Sequence, residues 1–100
     1  MNTLRRTEQF IEWYATLKDT AAKSRIAARL KYATLGNFGD HKSVGRGVME
    51  MRIHIGPGYR VYYAQAGAVI YVLLLGGIKR TQDKDILEAQ ALWAALQESS

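Results

Sequence analysis

The apolar residues of this chain recur at helical spacing in its first third and alternate from Met49 onward, and this change of period limits the fold more than any other feature. The first apolar helix face is made by Phe10, Trp13, Tyr14 and Leu17. Because a helix with one apolar face and a strand with one apolar face each need a partner to cover it, the chain is expected to pack helices on a sheet.

A second helix is predicted from Asp19, a favourable N-cap residue, to about Leu35. Gly36 follows, at the place where a left-handed glycine commonly ends a helix. The residues expected to face inward are Ile26, Leu30 and Ala33. Because only a short turn separates this helix from the first, the two are predicted to form a helical hairpin.

Three strands are predicted in the second half of the chain. Met49–Ile55 alternates between apolar and polar residues, which is typical of a half-buried strand. After a turn at Gly56–Gly58, Tyr59–Ala64 is rich in aromatic and β-branched residues. Ala68–Leu75 is apolar throughout, so we expect it to be the central strand, buried on both faces and ended by Gly76-Gly77.

A final helix is predicted to begin near Thr81–Asp83, because Asp83 and Asp85 suit the positive end of a helix. Its inner stripe is expected to be Ile86, Ala89, Trp93 and Leu96. A short additional strand at Leu4–Arg6 is compatible with the sequence. The order of elements predicts a single α+β domain over residues 1–100, in which the helical hairpin packs on a small antiparallel sheet and a C-terminal helix follows.

The chain is basic, with 14 Lys and Arg against nine Asp and Glu and a formal net charge of +5. Much of the excess lies between Lys23 and Arg60. A local basic field favours polyanions, with nucleic acid first and an acidic protein partner second. The alternative is a surface whose charges only keep the protein in solution.

The composition also excludes several classes of function. The absence of Cys excludes disulfides, cysteine zinc sites and thiol catalysis. Since His41 and His54 are the only histidines, neither a metal nor a cofactor is expected. The N-terminus lacks the apolar segment of a signal peptide, and Ala68–Leu75 is much shorter than the ~20 residues needed to span a bilayer. We therefore expect a cytoplasmic protein without membrane contact.

The predicted hairpin gathers polar side chains on one face. A turn confined to Gly56–Gly58 pairs His54 with Arg60 and Arg52 with Tyr62, and it turns the apolar residues of both strands toward the helices. Like charges placed opposite one another are unfavourable unless a ligand needs them. This register therefore predicts an open sheet face with two Arg, one His and one Tyr.

Two interpretations of that face are open. A phosphate backbone would use the bidentate donors of Arg, and a Tyr or His ring could stack on a base. Alternatively, the face is simply solvated, and Glu50 neutralises one of the two arginines.

A second basic segment follows Gly76-Gly77, where a buried strand passes directly into a helix. An anion could bind there, held by backbone N–H groups, by the helix dipole and by the cations of Lys79, Arg80 and Lys84. The spacing of a phosphate-binding P-loop is absent. The alternative is an ordinary turn at the end of a strand.

Five stretches in this order resemble the addiction-module killer proteins of the RelE/ParE superfamily, close to HigB-like and phage Gp49-like toxins. They are IAARL (26–30), GNFGD (36–40), MEMRI (49–53), GPGYRVYY (56–63) and LLLGGIKRTQDKDI (73–86). The resemblance covers residues 8–97. It implies two N-terminal helices on a small twisted antiparallel sheet, and the toxin of a type II toxin–antitoxin pair.

The resemblance also implies partners. A cognate antitoxin would be encoded beside this protein, often as a helix-turn-helix protein. Many relatives are mRNA endonucleases that act on the ribosome without a metal, whereas ParE-like relatives inhibit DNA gyrase without hydrolysis. A third hypothesis is an inactive module that only binds its antitoxin.

Particular residues match the family's basic motifs. Metal-free RNA cleavage needs a base for the 2′-OH, cations for the phosphorane and an acid for the leaving oxygen. Arg60 matches the family's sheet arginine, and Lys79 and Arg80 match its basic cluster at the sheet end. With Arg52 as the next candidate and His54 as an acid–base candidate, the catalytic set is Arg60, Arg52, Lys79 and His54.

One departure from the family leaves the proton donor and acceptor unassigned. Several RelE-like enzymes carry a tyrosine near the position of Ile86. His54, Tyr62 or Lys84 could take its place. The residues expected to contact RNA are Arg80, Lys84, Tyr62 and Gln82.

Overall fold

A computed structural model describes residues 1–99, which form a five-stranded sheet with helices on both faces. The elements are β1 (Thr3–Arg6), α1 (Glu8–Thr16), α2 (Thr20–Thr34), β2 (His41–Gly45), β3 (Val48–Ile53), β4 (Tyr59–Gln65), β5 (Ile70–Ile78) and α3 (Gln82–Glu98). A 3-10 turn, Lys79–Thr81, joins β5 to α3. The strand order is β1-β5-β4-β3-β2. The predicted α+β class is confirmed.

The sheet is mixed, which corrects the expectation of a purely antiparallel one. β2 to β5 form an antiparallel meander, but β1 pairs in parallel with β5. The connection between these two strands contains both N-terminal helices and β2 to β4, so it is far longer than the dozen or so residues that parallel pairing requires. β2 was not predicted, because its residues are mostly exposed and show no apolar alternation.

The N-terminal helices follow their local signals. The Asp19 side chain caps α2 by accepting a hydrogen bond from the Ala22 backbone N–H at 3.1 Å. The predicted inward residues Ile26, Leu30 and Ala33 are all buried. Gly36 adopts φ +95° directly after the last turn. Both helices pack against the same face of the sheet, where Phe10 of α1 and Ile26 of α2 join one core.

Helix α3 covers the opposite face of the sheet, so the prediction of an open polar face was wrong. Ala89 and Trp93 pack there on Val48, Tyr62 and Leu74. The physical reason is that β3, β4 and β5 present apolar residues on this face as well, and these need a cover. None of the helices in residues 1–99 is long and apolar enough to cross a membrane.

The expectation that Gly76-Gly77 ends the strand was also wrong, since β5 continues to Ile78. A Cβ at Gly76 would collide with the Trp13 ring, and one at Gly77 would collide with the Asp85 carboxylate. The two glycines therefore let α1 and α3 approach β5 closely, one on each face. β5 is an inner strand buried at Leu73–Leu75, as expected, but the central strand of the five is β4, so the prediction of a central position for β5 was wrong.

The β3–β4 register differs from the predicted one by two residues. Arg52 lies opposite Arg60, and Ile53 lies opposite Tyr59, so the connecting loop spans residues 54–58. A shift of two residues keeps every side chain on its predicted face. It releases His54 from the strand, however, and moves it away from the predicted position opposite Arg60.

Candidate functional site

The most buried charged residue of the site is Glu50 on β3, with 0% of its surface exposed. Its carboxylate accepts hydrogen bonds from Arg52 Nε at 2.9 Å, from the Tyr62 hydroxyl at 3.1 Å and from Gln82 Nε2 at 2.8 Å. Burial raises the pKa of Glu50, but these hydrogen bonds and the charge of Arg52 outweigh it, so the pKa lies below its ordinary value. Glu50 is thus an ionised centre that joins β3, β4 and α3.

Arg60 on β4 lies beside this carboxylate and is only 5% exposed. Its Nε is 3.9 Å from Glu50 Oε2 and has no hydrogen-bond partner within residues 1–99. A Cβ added at Gly58 would lie 3.4 Å from Arg60 Nη1 and 3.2 Å from Lys79 Cβ. The guanidinium of Arg60 and the base of the Lys79 side chain therefore both lie beside Gly58. We call Glu50, Arg52, Arg60, Tyr62 and Gln82 the Glu50 cluster.

Tyr62 is also enclosed, with 0% of its surface exposed. Burial and the neighbouring Glu50 charge raise the pKa of Tyr62 well above its ordinary value. Its hydroxyl therefore stays protonated and serves as a donor to Glu50. Gln82, the first residue of α3, contributes the matching amide donor from the helix.

A second polar pair lies at the surface, where His54 Nε2 is hydrogen-bonded to Asp40 Oδ2 at 2.5 Å. The side chains are 67% and 49% exposed, respectively. The hydrogen bond from His54 holds the pKa of Asp40 below its ordinary value, and the charges of Arg52 and Arg29 act in the same direction. This pair is close enough to Arg52 to sense its charge, and it lies at the same end of the sheet as the Glu50 cluster.

Arg29 of α2 holds the loop that carries Asp40. Its guanidinium donates to three backbone carbonyls, those of Arg52 at 2.5 Å, Phe38 at 3.0 Å and Asp40 at 3.2 Å. Gly39 lies directly against this guanidinium, with φ +63°, and a Cβ there would come within 2.7 Å of Arg29 Nη2. The 37–40 loop is thereby tied to the end of β3.

The basic segment after β5 is exposed at Lys79, Arg80 and Lys84. The backbone N–H of Lys79 donates to the Gly58 carbonyl at 2.7 Å, which links this segment to the β3–β4 loop. A carboxylate of the protein, that of Asp85, already lies in the first turn of α3. It is only 8% exposed and accepts a hydrogen bond from the Thr81 hydroxyl at 2.5 Å. Ligand binding would therefore depend on the exposed cations and not on the helix dipole.

The residues predicted from the sequence thus form two groups. Arg60 and Tyr62 are buried in the Glu50 cluster, and Gln82 joins this cluster from the first turn of α3. The second group lies at the sheet end and consists of the exposed His54, Lys79 and Arg80 together with Arg52; we call it the cationic rim. Arg52 belongs to both groups, because its Nε is bonded to Glu50 while 28% of its side chain is exposed. Since β3 and β5 flank β4, the two sides of the rim are about 10 Å apart. Lys84 is exposed in the first turn of α3, the helix that follows Lys79 and Arg80 in the chain.

Sequence reasoning missed Asp40 and Arg29. Arg29 had a usable signal, because a base at this position shares a helix face with the buried Ile26 and Leu30. Asp40 had none in the local pattern, since its pairing with His54 joins residues 14 positions apart in the chain.

No model of a known protein family matches the chain. A protein of Haemophilus influenzae, described as an uncharacterized protein, is 48% identical over 89 residues, which are 89% of this chain and 90% of that protein.

Proposed function

We propose that this chain, which belongs to one family with the Haemophilus influenzae protein, is the toxin of a type II toxin–antitoxin pair and cleaves mRNA on the ribosome. The observation that carries the proposal is the cationic rim, where an exposed imidazole stands beside permanently charged groups at one end of the sheet. An RNA phosphate beside a 2′-OH needs this combination of cations and a proton acceptor.

Within the rim, Arg52 and Lys79 are the residues to contact the scissile phosphate. Arg52 keeps 28% of its side chain exposed while its Nε is held by Glu50, so its remaining donors are fixed in direction. Lys79 is exposed on the opposite side of the rim. Two cations that flank a phosphate stabilise the additional negative charge of the phosphorane. Arg80 and Lys84 then bind neighbouring phosphates and carry no sequence preference.

Arg60 supports this site from below. Its buried charge lies between Glu50 and the Gly58 loop, so it acts on the phosphate through its field and through Glu50, which holds Arg52. The five stretches that resemble RelE/ParE toxins support the class of function. They also support an antitoxin partner, and the basic surface fits an acidic segment of such a protein.

The test compares wild type with a Lys79→Gln/Arg80→Gln double variant. After brief induction, primer extension on cellular mRNA should show discrete cuts for wild type. The double variant should pellet with ribosomes less well, and the slope of log affinity against log salt should fall by about 1 per lost phosphate contact. Lys18→Gln/Arg25→Gln removes the same charge from exposed positions on the helical side and should behave as wild type.

Absence of mRNA cuts at equal protein level would overturn the endonuclease. If supercoiled plasmid became relaxed or cleaved instead, the ParE-like alternative of gyrase inhibition would take its place.

A further inference from the structure

We propose that His54 and Asp40 form the proton-transfer pair of this site, with His54 as the catalytic base and Asp40 as the residue that orients it. The inference rests on the proposed function, because it needs RNA as the substrate. It assigns the acid–base role that the sequence left open among three residues.

The geometry of the pair fits this role. Nε2 of His54 is bonded to Asp40 Oδ2 at 2.5 Å, so Nε2 carries the ring proton and Nδ1 is the atom that can accept another. A carboxylate bonded to one ring nitrogen fixes the tautomer and stabilises the imidazolium that forms. His54 is 67% exposed, which leaves its ring accessible to a bound strand. Tyr62 cannot reach that strand because α3 covers it.

The backbone on both sides of the pair is held by further hydrogen bonds. Arg29 binds the backbone carbonyls of both Asp40 and Arg52, and the backbone N–H of Arg52 donates to the Asp40 carbonyl at 2.9 Å. These bonds connect the loop that carries Asp40 to the strand that leads into His54. Arg29 is therefore a positioning residue, and it also places the pair next to the phosphate-binding Arg52.

The proposed step balances without a metal. His54 Nδ1 takes the proton of the 2′-OH, and the 2′ oxygen forms a bond to phosphorus. The bond from phosphorus to the 5′ oxygen breaks, and that oxygen takes a proton from water. The products are a 2′,3′-cyclic phosphate and a 5′-OH end, and the imidazolium paired with Asp40 later returns its proton to solvent.

The first experiment measures cleavage of mRNA on purified ribosomes by wild type, His54→Ala and Asp40→Asn. His54→Ala should lower the cleavage rate by about 10²–10⁴-fold, the range of general acid–base catalysis, while ribosome pelleting stays unchanged. Added imidazole should restore part of this rate, because it supplies the missing base. Asp40→Asn should lower the rate by a smaller factor at unchanged binding.

The control is His41→Asn, which removes the other exposed histidine but keeps a side-chain donor for the Gly39 carbonyl that His41 Nδ1 contacts, and it should cleave as wild type does. Imidazole should not rescue Lys79→Gln, which lacks a cation and not a base. Wild-type cleavage by His54→Ala would overturn the pair and leave the endonuclease intact. A loss of cleavage in His54→Ala that imidazole does not restore, with folding and ribosome binding intact, would also overturn it. Absence of cleavage by wild type would instead remove the proposed function, so the two failures are distinguishable.

Discussion

The Glu50 cluster and the Asp40–His54 pair are each built on a carboxylate at the same end of the sheet, but one is enclosed and the other is exposed. Glu50 is 0% exposed, whereas Asp40 and His54 keep 49% and 67% of their side chains in solvent. A buried charge that loses its partner is costly, whereas a surface ion pair contributes little to stability. Helix α3 thus divides one polar region into a buried part that stabilises the fold and an exposed part that is accessible to a substrate.

The largest effect on stability should come from the centre of the enclosed part. Glu50→Gln keeps the shape of the side chain but leaves Arg60 buried without its counter-charge. We expect the free energy of unfolding in urea to fall by about 3–5 kcal/mol. Glu12→Gln, at an exposed position on α1, is the control and should unfold as wild type does. A Glu50→Gln protein as stable as wild type would erase the distinction between the two regions.

A smaller effect is expected where α3 is seated on β5. In Gly77→Ala the new methyl group meets the Asp85 carboxylate, so the start of the helix must move away from the sheet. Overpacking of this kind costs about 1–3 kcal/mol. Gly67→Ala is the matched control, because a Cβ there finds its nearest neighbour at an ordinary 3.6 Å. Equal unfolding midpoints for the two alanine variants would mean that the contact between α3 and β5 is loose.

Low pH should lower the free energy of unfolding through the enclosed Glu50 more than through the exposed Asp40. The pKa of Glu50 lies below its ordinary value in the folded state, so its contribution to stability is present above the unfolded pKa of about 4.3 and is lost as the pH falls through the folded pKa. We expect Glu50→Gln to flatten the decline in unfolding free energy that wild type shows below about pH 5. Asp40→Asn should change that decline less, because the Asp40 carboxylate is in contact with water in the folded state as well as in the unfolded state. The reverse ranking would contradict the comparison.

The parts of the fold that local chemistry determines could be predicted from the sequence. Asp19 and Gly36 mark the ends of α2 through capping and a left-handed turn, and both act within a few residues. The alternation of apolar and polar residues correctly predicted that Glu50, Arg52 and Arg60 share one face of the sheet, even though the predicted β3–β4 register was wrong by two residues. The burial of this face under α3 could not be predicted, because it depends on how a helix distant in sequence packs on Tyr62 and Leu74.

The candidate site follows the same rule. The cations of the rim were identified because charge is a property of each residue, and Lys79 and Arg80 are exposed as surface charges should be. The roles of Gly77 and Asp40 depend on partners in other elements, namely Asp85 on α3 and His54 after β3. No periodic pattern records such pairings, since they arise only when the sheet and the loops are assembled.

The smallest effect on stability is expected from two Asp→Asn substitutions, one at the buried Asp85 and one at the exposed Asp40. Asp85→Asn alters a carboxylate that is only 8% exposed, that accepts a hydrogen bond from Thr81 and that faces the positive start of α3, so the free energy of unfolding should fall by about 1–2 kcal/mol. Asp40→Asn changes the same atoms at the surface and should leave the urea midpoint where it is, because water replaces the lost charge interaction. Measuring both variants at low and high salt separates them further: added salt should leave the Asp85 difference largely intact, since that carboxylate is enclosed. A midpoint shift for Asp40→Asn as large as that for Asp85→Asn would show that the exposed pair also holds the fold together, and its assignment to chemistry alone would have to be given up.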